Sequence, residues 1–177
     1  VHDARARGDA RPVVFDPAIH GSRSTPASLE PHLRAAARHR DFHLVYQPVV
    51  DVATGHVVAV ETLLRWEHPE RGALSPAEFV PVLEDTGLIV DVGAWIIREA
   101  IAQADRWHAE NPDRAPLRVA INVSARQLAQ SGFEKIVRDA LRATPVPPGA
   151  VCLELTEGAL MVDIDAAWSA LRLLKRL

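Results

Sequence analysis

The period of the apolar positions changes along this chain, and each change predicts an element. Residues 1–26 mix Arg, Gly, Pro, Ser and Thr with little periodicity beyond Val13, Val14 and Phe15, a composition that reads as a linker. Leu29, Leu33, Ala36 and Ala37 then share one helical face; Ser28 can cap that helix, Pro31 falls in its tolerated first turn, and it ends near Arg40. From Phe42 the pattern turns β-rich. A run over 42–50, a turn at Thr54-Gly55 and a second apolar run over 57–66 predict an antiparallel hairpin.

Helical spacing returns after residue 75. Ser75-Pro76-Ala77-Glu78 has the form of a capping box with proline at the first helical position, backed by Phe79, Val82 and Leu83 and ended by Gly87. Trp95, Ile96, Ala100, Gln103, Ala104 and Trp107 recur at three- and four-residue steps and predict a longer helix over about 93–109, stopped by Asn111-Pro112. Residues 117–123 read as a buried strand whose end is followed by a short helix capped by Ser124-Ala125-Arg126-Gln127. A further box, Ser131-Gly132-Phe133-Glu134, opens a helix to about 143; prolines and Gly149 turn the chain; 151–156 form the next strand. Trp168, Leu171 and Leu174 lie on one face of a last helix from about 165.

Strand and helix alternate from residue 57 onward, which implies right-handed crossovers and parallel pairing. About four strands are expected, whereas a closed (β/α)8 barrel needs about eight strands and typically about 250 residues. The fold class is therefore α/β, a partial (β/α)8 TIM-like barrel close to its first half, with an open α/β sheet as the structural alternative.

Composition narrows the partners. At 177 residues the chain suits one domain plus a tail, and a net charge of −3 gives no reason to expect duplex nucleic acid. Seven Arg against four acidic residues in the first forty positions read as a solvated arm, with an anion-binding patch as the alternative. Cys152 is the only cysteine, so no internal disulfide forms, and its place in Val151-Cys152-Leu153 reads as a small core residue. No apolar stretch has the length to cross a bilayer and no signal-peptide pattern opens the chain; a cytoplasmic, soluble protein is expected.

The chemistry is expected at the C-terminal ends of the strands, where a barrel of this type gathers its functional groups. Glu61 lies in the second strand, Asn122 near the end of the third and Glu154 in the fourth. Three oxygen ligands from three strands could surround one cation, and carboxylate and amide oxygens without His or Cys favour Mg2+ or Mn2+ over Zn2+. The histidines form no metal-spaced pair in the sequence, which leaves a zinc hydrolase without support.

Six motifs, Tyr46-Gln47-Pro48, Glu61-Thr62-Leu63-Leu64-Arg65-Trp66, Leu74-Ser75-Pro76-Ala77-Glu78-Phe79, Glu84-Asp85-Thr86-Gly87-Leu88-Ile89, Asn122-Val123-Ser124 and Glu154-Leu155-Thr156-Glu157, occur in an order and spacing that resemble the EAL domain family. These bacterial phosphodiesterases hydrolyse cyclic di-GMP, a second messenger, to linear pGpG on a modified TIM barrel whose first strand is antiparallel. Thr62 stands where the family usually has Ala. The resemblance implies metal-coordinating roles for Glu61, Asn122 and Glu154, substrate contacts for Gln47 and Arg65, and a structural role near the metals for Glu157. A guanidinium beside a phosphate supplies charge-assisted hydrogen bonds. Within the linker-like residues 1–26, the stretch from Ala6-Arg7-Gly8 through Val13-Val14-Phe15-Asp16 also resembles the tail of a GGDEF domain, which implies an upstream GGDEF or sensor domain in cis.

Residues 27–177 are accordingly expected to be an incomplete N-terminal portion of an EAL domain. The family's paired-aspartate motif and its later Lys, Glu and Gln fall after the positions matched here, and Asp163 and Asp165, at a helix start, substitute poorly for them. Two-metal hydrolysis needs both cations held together, so residues 1–177 alone are expected to be inactive. Three functional readings follow: part of an active phosphodiesterase that can form a homodimer, a degenerate EAL module that binds cyclic di-GMP or a protein, and an unrelated α/β interaction protein.

Overall fold

A computed structural model describes residues 26–147, 149–155 and 164–175. Its elements run α1 (Pro26–His39), β1 (Phe42–Val50), β2 (Val57–His68), β3 (Gly72–Leu74), α2 (Pro76–Thr86), α3 (Ile89–Glu110), β4 (Arg118–Val123), α4 (Ala125–Leu128), α5 (Phe133–Arg142), β5 (Val151–Leu155) and α6 (Ile164–Leu174). The sheet has the order β1-β2-β4-β5, and β3 pairs with β2 off that path. β1 is antiparallel to β2, while β2, β4 and β5 are mutually parallel because each return to the sheet passes through helices.

Side-chain parity divides the sheet into two faces. Val60, Thr62 and Trp66 of β2 are 6%, 4% and 2% exposed and face the helices, as do Val119, Ile121 and Val123 of β4. The intervening residues Glu61, Leu63 and Arg65 face the other way. Two apolar clusters fill the helix side. One joins Val60, Ile97, Ile101, Val119 and Ile121 to α5 through Phe133 and Val137. The other packs Leu29 and Leu33 of α1 and Phe79 and Leu83 of α2 around Trp66 and Phe42.

Several local expectations shift. α1 begins at Pro26, so Pro31 sits inside the helix and not in a turn capped by Ser28. An internal proline costs about 3 kcal/mol; complete burial of Leu29 and Leu33, about 1.5–3 kcal/mol each, offsets it. Ser75 precedes α2 without a side-chain cap, although Pro76 does occupy the first turn. The box expected at Ser131 does not form either: Gly132, at φ 84°, turns the chain into α5 in the left-handed region that glycine tolerates. Ser124 does cap α4 with both reciprocal hydrogen bonds of a capping box. β3 is a three-residue strand too short for its alternation to be visible beforehand. Cys152 is exposed, because Val151 and Leu153 take the helix side of β5 and parity turns the residue between them outward. Trp168 of α6 is 60% exposed, unlike the half-buried Leu171 and Leu174 expected to share its face. Among the described residues no helix is long and apolar enough to cross a membrane.

Candidate functional site

Strand register sets the site. In the antiparallel pair Gln47 lies opposite Glu61, and in the parallel pairs Glu61 lies opposite Ala120 and Asn122 opposite Glu154. Residue parity places Gln47, Glu61, Asn122 and Glu154 on the face away from the helices, and Arg65, four residues after Glu61, lies on the same face. Asn122 Nδ2 donates a hydrogen bond to Glu61 Oε1 at 2.8 Å, joining side chains 61 positions apart. Arg65 Nη1 donates to the Leu64 carbonyl at 2.9 Å. Glu157 lies outside the described residues, as do the expected GGDEF-like tail and Asp163.

The donor chemistry fits a hard divalent cation. With its amide N–H given to Glu61, Asn122 keeps Oδ1 as a ligand atom and Glu61 keeps Oε2. Glu154 adds a second carboxylate from the adjoining strand. Among the described residues no cluster of three His, Cys, Asp or Glu exists, so a cation site here needs the amide oxygen as well as the two carboxylates. His32 and His68 do approach, with ring centroids 4.5 Å apart, but on the helix side; burial lowers the His68 pKa and its Nδ1 accepts from the Glu70 N–H. Residues 36 positions apart give no spacing signal, which is why that contact escapes a reading of the sequence.

Tyr46, beside Gln47 in the chain, points the opposite way. Its ring packs edge-on against Trp107 at 4.9 Å, and burial together with Glu99 pushes its phenol up to about 12. It therefore anchors β1 to α3 and presents no proton at the site.

Beside Asn122 a cavity of about 400 Å3 is lined by residues of α2, α3, β2 and the end of β4, mostly apolar side chains with Thr62, Glu84 and Ser124 among them. Burial, then the neighbouring Asp85, raises the Glu84 pKa. Thr62 Oγ1 is buried with no hydrogen-bond partner. An orphaned buried hydroxyl costs about 1–3 kcal/mol, so Thr62→Val, which keeps the shape and removes the oxygen, is expected to raise stability by about 1 kcal/mol in denaturant titration. A loss of stability would instead place a bound water on that hydroxyl. A larger groove, of about 820 Å3 and lined by Arg40, Trp95, Arg98 and Asp139, runs over the helix layer apart from these groups.

Parallel strands that deliver two carboxylates, an amide and a guanidinium to one face define a barrel-type site suited to a divalent cation and an anionic ligand. A match to the EAL domain covers residues 31–177, and the chain belongs to that family. It is 42% identical over 171 residues to the cyclic di-GMP phosphodiesterase PA2567 of Pseudomonas aeruginosa, covering 96% of this chain and 28% of that protein. It is 36% identical over 167 residues to the bifunctional diguanylate cyclase/cyclic di-GMP phosphodiesterase MucR of the same organism, covering 94% of this chain and 24% of MucR. The chain thus spans about a quarter of the length of these curated relatives. Among solved structures it superposes on the MucR phosphodiesterase in complex with c-di-GMP with a TM-score of 0.76 and 40% identity, covering 83% of this chain and 59% of that one. It likewise matches the EAL enzyme Bd1971 in its cAMP and cyclic-di-GMP bound form at a TM-score of 0.71 and 28% identity, over 84% of this chain and 42% of that one. These neighbours are TIM-barrel-like, and EAL phosphodiesterases are metal-dependent in general.

Proposed function

We propose that this chain contributes the N-terminal part of a phosphodiesterase domain that opens cyclic di-GMP to linear pGpG, with residues 27–177 belonging to the barrel and residues 1–26 leading into it from an upstream GGDEF or sensor domain. The observation that carries the reading is the Asn122–Glu61 hydrogen bond beside Glu154, three oxygen donors from three strands on one face. The names of PA2567 and MucR support the substrate, and the second activity in MucR's name supports a cyclase module in cis.

In this reading Glu61, Asn122 and Glu154 hold Mg2+ or Mn2+. When bound, two cations at such a site would supply a water made acidic enough to attack and positive charge for the departing oxygen. Arg65 holds a phosphate oxygen by charge-assisted hydrogen bonds, and Gln47, opposite Glu61, orients the nucleotide. Glu157 takes the structural role near the metals that the family resemblance implies, and two copies of the full-length protein can pair through the completed barrel.

Three oxygen donors suffice for one cation and not for a pair. The expected result is that residues 1–177 alone yield no pGpG by chromatography with Mg2+ or Mn2+, while the full-length parent yields it with either ion and stops on addition of EDTA. Turnover by residues 1–177 would overturn the two-metal part of the reading. Tight cyclic di-GMP binding by the parent without turnover would replace the enzyme with a binding module.

A further inference from the structure

The turn that follows Asn122 is tied down more heavily than a four-residue helix requires. Ser124 Oγ accepts from the Gln127 N–H at 3.3 Å, and Gln127 Oε1 accepts from both the Ser124 N–H and the Ser124 hydroxyl at 3.1 Å. The Gln127 side chain is 4% exposed and runs straight into α3. A Cβ built on Gly93 would lie 2.0 Å from Gln127 Nε2 and 2.5 Å from its Cδ, distances no packed side chain allows. On the other flank Arg126 Nη1 donates to the carbonyls of Glu84 and, at 3.0 Å, Asp85, the last turn of α2. The segment is thus pinned to α2 by Arg126 and to α3 by Gln127.

Asn122 stands two residues before the cap, on the exposed face, and among the described residues its side chain has a single hydrogen bond, the one to Glu61. Nothing else in the described residues steers its amide, so its position follows from where the backbone of β4 is held. We infer that Gln127 is a positioning residue that fixes the Asn122 amide against Glu61, with Arg126 as its second anchor, and that residue 93 is glycine because Gln127 needs its space. The inference rests on the proposed metal-binding role of Asn122. Outer groups that orient ligands are typically worth about 10–100-fold in metal affinity or activity.

The test uses the full-length parent chain and four variants: Asn122→Ala, Gln127→Ala, Gly93→Ala and the double variant Gly93→Ala/Gln127→Ala. Mn2+ binding is read by electron paramagnetic resonance without substrate, and thermal unfolding and steady-state kinetics are read alongside. Gln127→Ala is expected to weaken Mn2+ by about 10–100-fold and to lower kcat similarly, with KM for cyclic di-GMP within about twofold of the starting value. Gly93→Ala should lower both Tm and Mn2+ affinity, since the new methyl displaces the Gln127 amide. In the double variant the methyl added at position 93 occupies the vacated space, so Tm recovers while Mn2+ affinity does not, because the bonds from Gln127 to Ser124 remain absent.

Recovery of Mn2+ affinity together with Tm in the double variant would reduce Gln127 to a packing residue. Unchanged affinity in Gln127→Ala, with affinity lost in Asn122→Ala, would overturn the positioning role and leave the metal site standing. Unchanged affinity in Asn122→Ala would remove the metal reading itself, and the positioning role with it.

Discussion

Glu61→Gln in the full-length parent is expected to lower kcat/KM for cyclic di-GMP by about a thousandfold or more, since loss of a charged metal ligand removes several kcal/mol of charge stabilisation and each ~1.4 kcal/mol is tenfold in rate. The substitution is deliberately mild in shape. A glutamine carbonyl can still accept the hydrogen bond that Asn122 Nδ2 gives Glu61 Oε1 at 2.8 Å, so the cross-strand contact survives and only the negative charge is lost. Tm should therefore stay within about 2 °C, because the residue lies on the face opposite the buried clusters and surface changes rarely exceed ~0.5 kcal/mol. Glu67→Gln is the matched control: it lies on the same strand with the same parity, but opposite Ala73 of β3 and beyond the stretch of β2 that pairs with β4. Its kinetics should be unchanged. A fall of less than tenfold for Glu61→Gln, measured at saturating Mg2+ and Mn2+, would mean that the carboxylate charge contributes no more than about 1.4 kcal/mol at the transition state. That is too little for a ligand.

The face on which these groups gather was readable from the letters, and the reason is the two-residue period of a strand. Glu61 and Arg65 differ by four, Thr62 and Trp66 by four, and the two pairs must fall on opposite sides whatever the register. Register itself was less accessible. In the hairpin an irregularity between Val49 and Val50 shifts the pairing by one residue, so that Gln47 meets Glu61 and not Val60, and the match of Asn122 to Glu154 depends on how far α5 and the prolines after it carry the chain; no local pattern encodes either. The misreadings have one cause, local signals overridden by tertiary placement. Cys152 sits in an apolar run and still faces outward, because its neighbours take the two available places against the helix layer. Ser75 and Ser131 carry capping-box letters, yet the first makes no cap bond and the second yields to the positive φ of Gly132. Ser124 has the same letters and does cap, where Gln127 finds its space beside Gly93. That space is a contact between residues 34 positions apart, and only the fold brings it into view.

Trp66 makes the corresponding case for the helix side of the same strand. It follows Arg65 directly, so one residue of the signature reaches toward the proposed substrate while the next anchors the strand. Its side chain is 2% exposed and lies 5.6 Å from Phe79 and 6.1 Å from Phe42, ring centroid to ring centroid, at tilted or edge-on angles. Such a cluster joins β1, β2 and α2 at one point, and α1 closes it through Leu33. Trp66→Ala is expected to cost about 3–5 kcal/mol, the range for deleting a buried aromatic side chain. For a protein of this size each kcal/mol moves Tm by about 2–4 °C, so the midpoint should fall by roughly 6–20 °C. Trp66→Phe should recover part of that loss, because a smaller ring can still meet Phe79 edge-on. The loss should appear as a lower denaturant midpoint at constant slope, which separates a weakened core from a changed unfolded state. A cost below about 1 kcal/mol, the level of an ordinary partly exposed site, would mean that the aromatic cluster does not hold β2 against the helices, and the strand that carries both Glu61 and Arg65 would have to be anchored elsewhere.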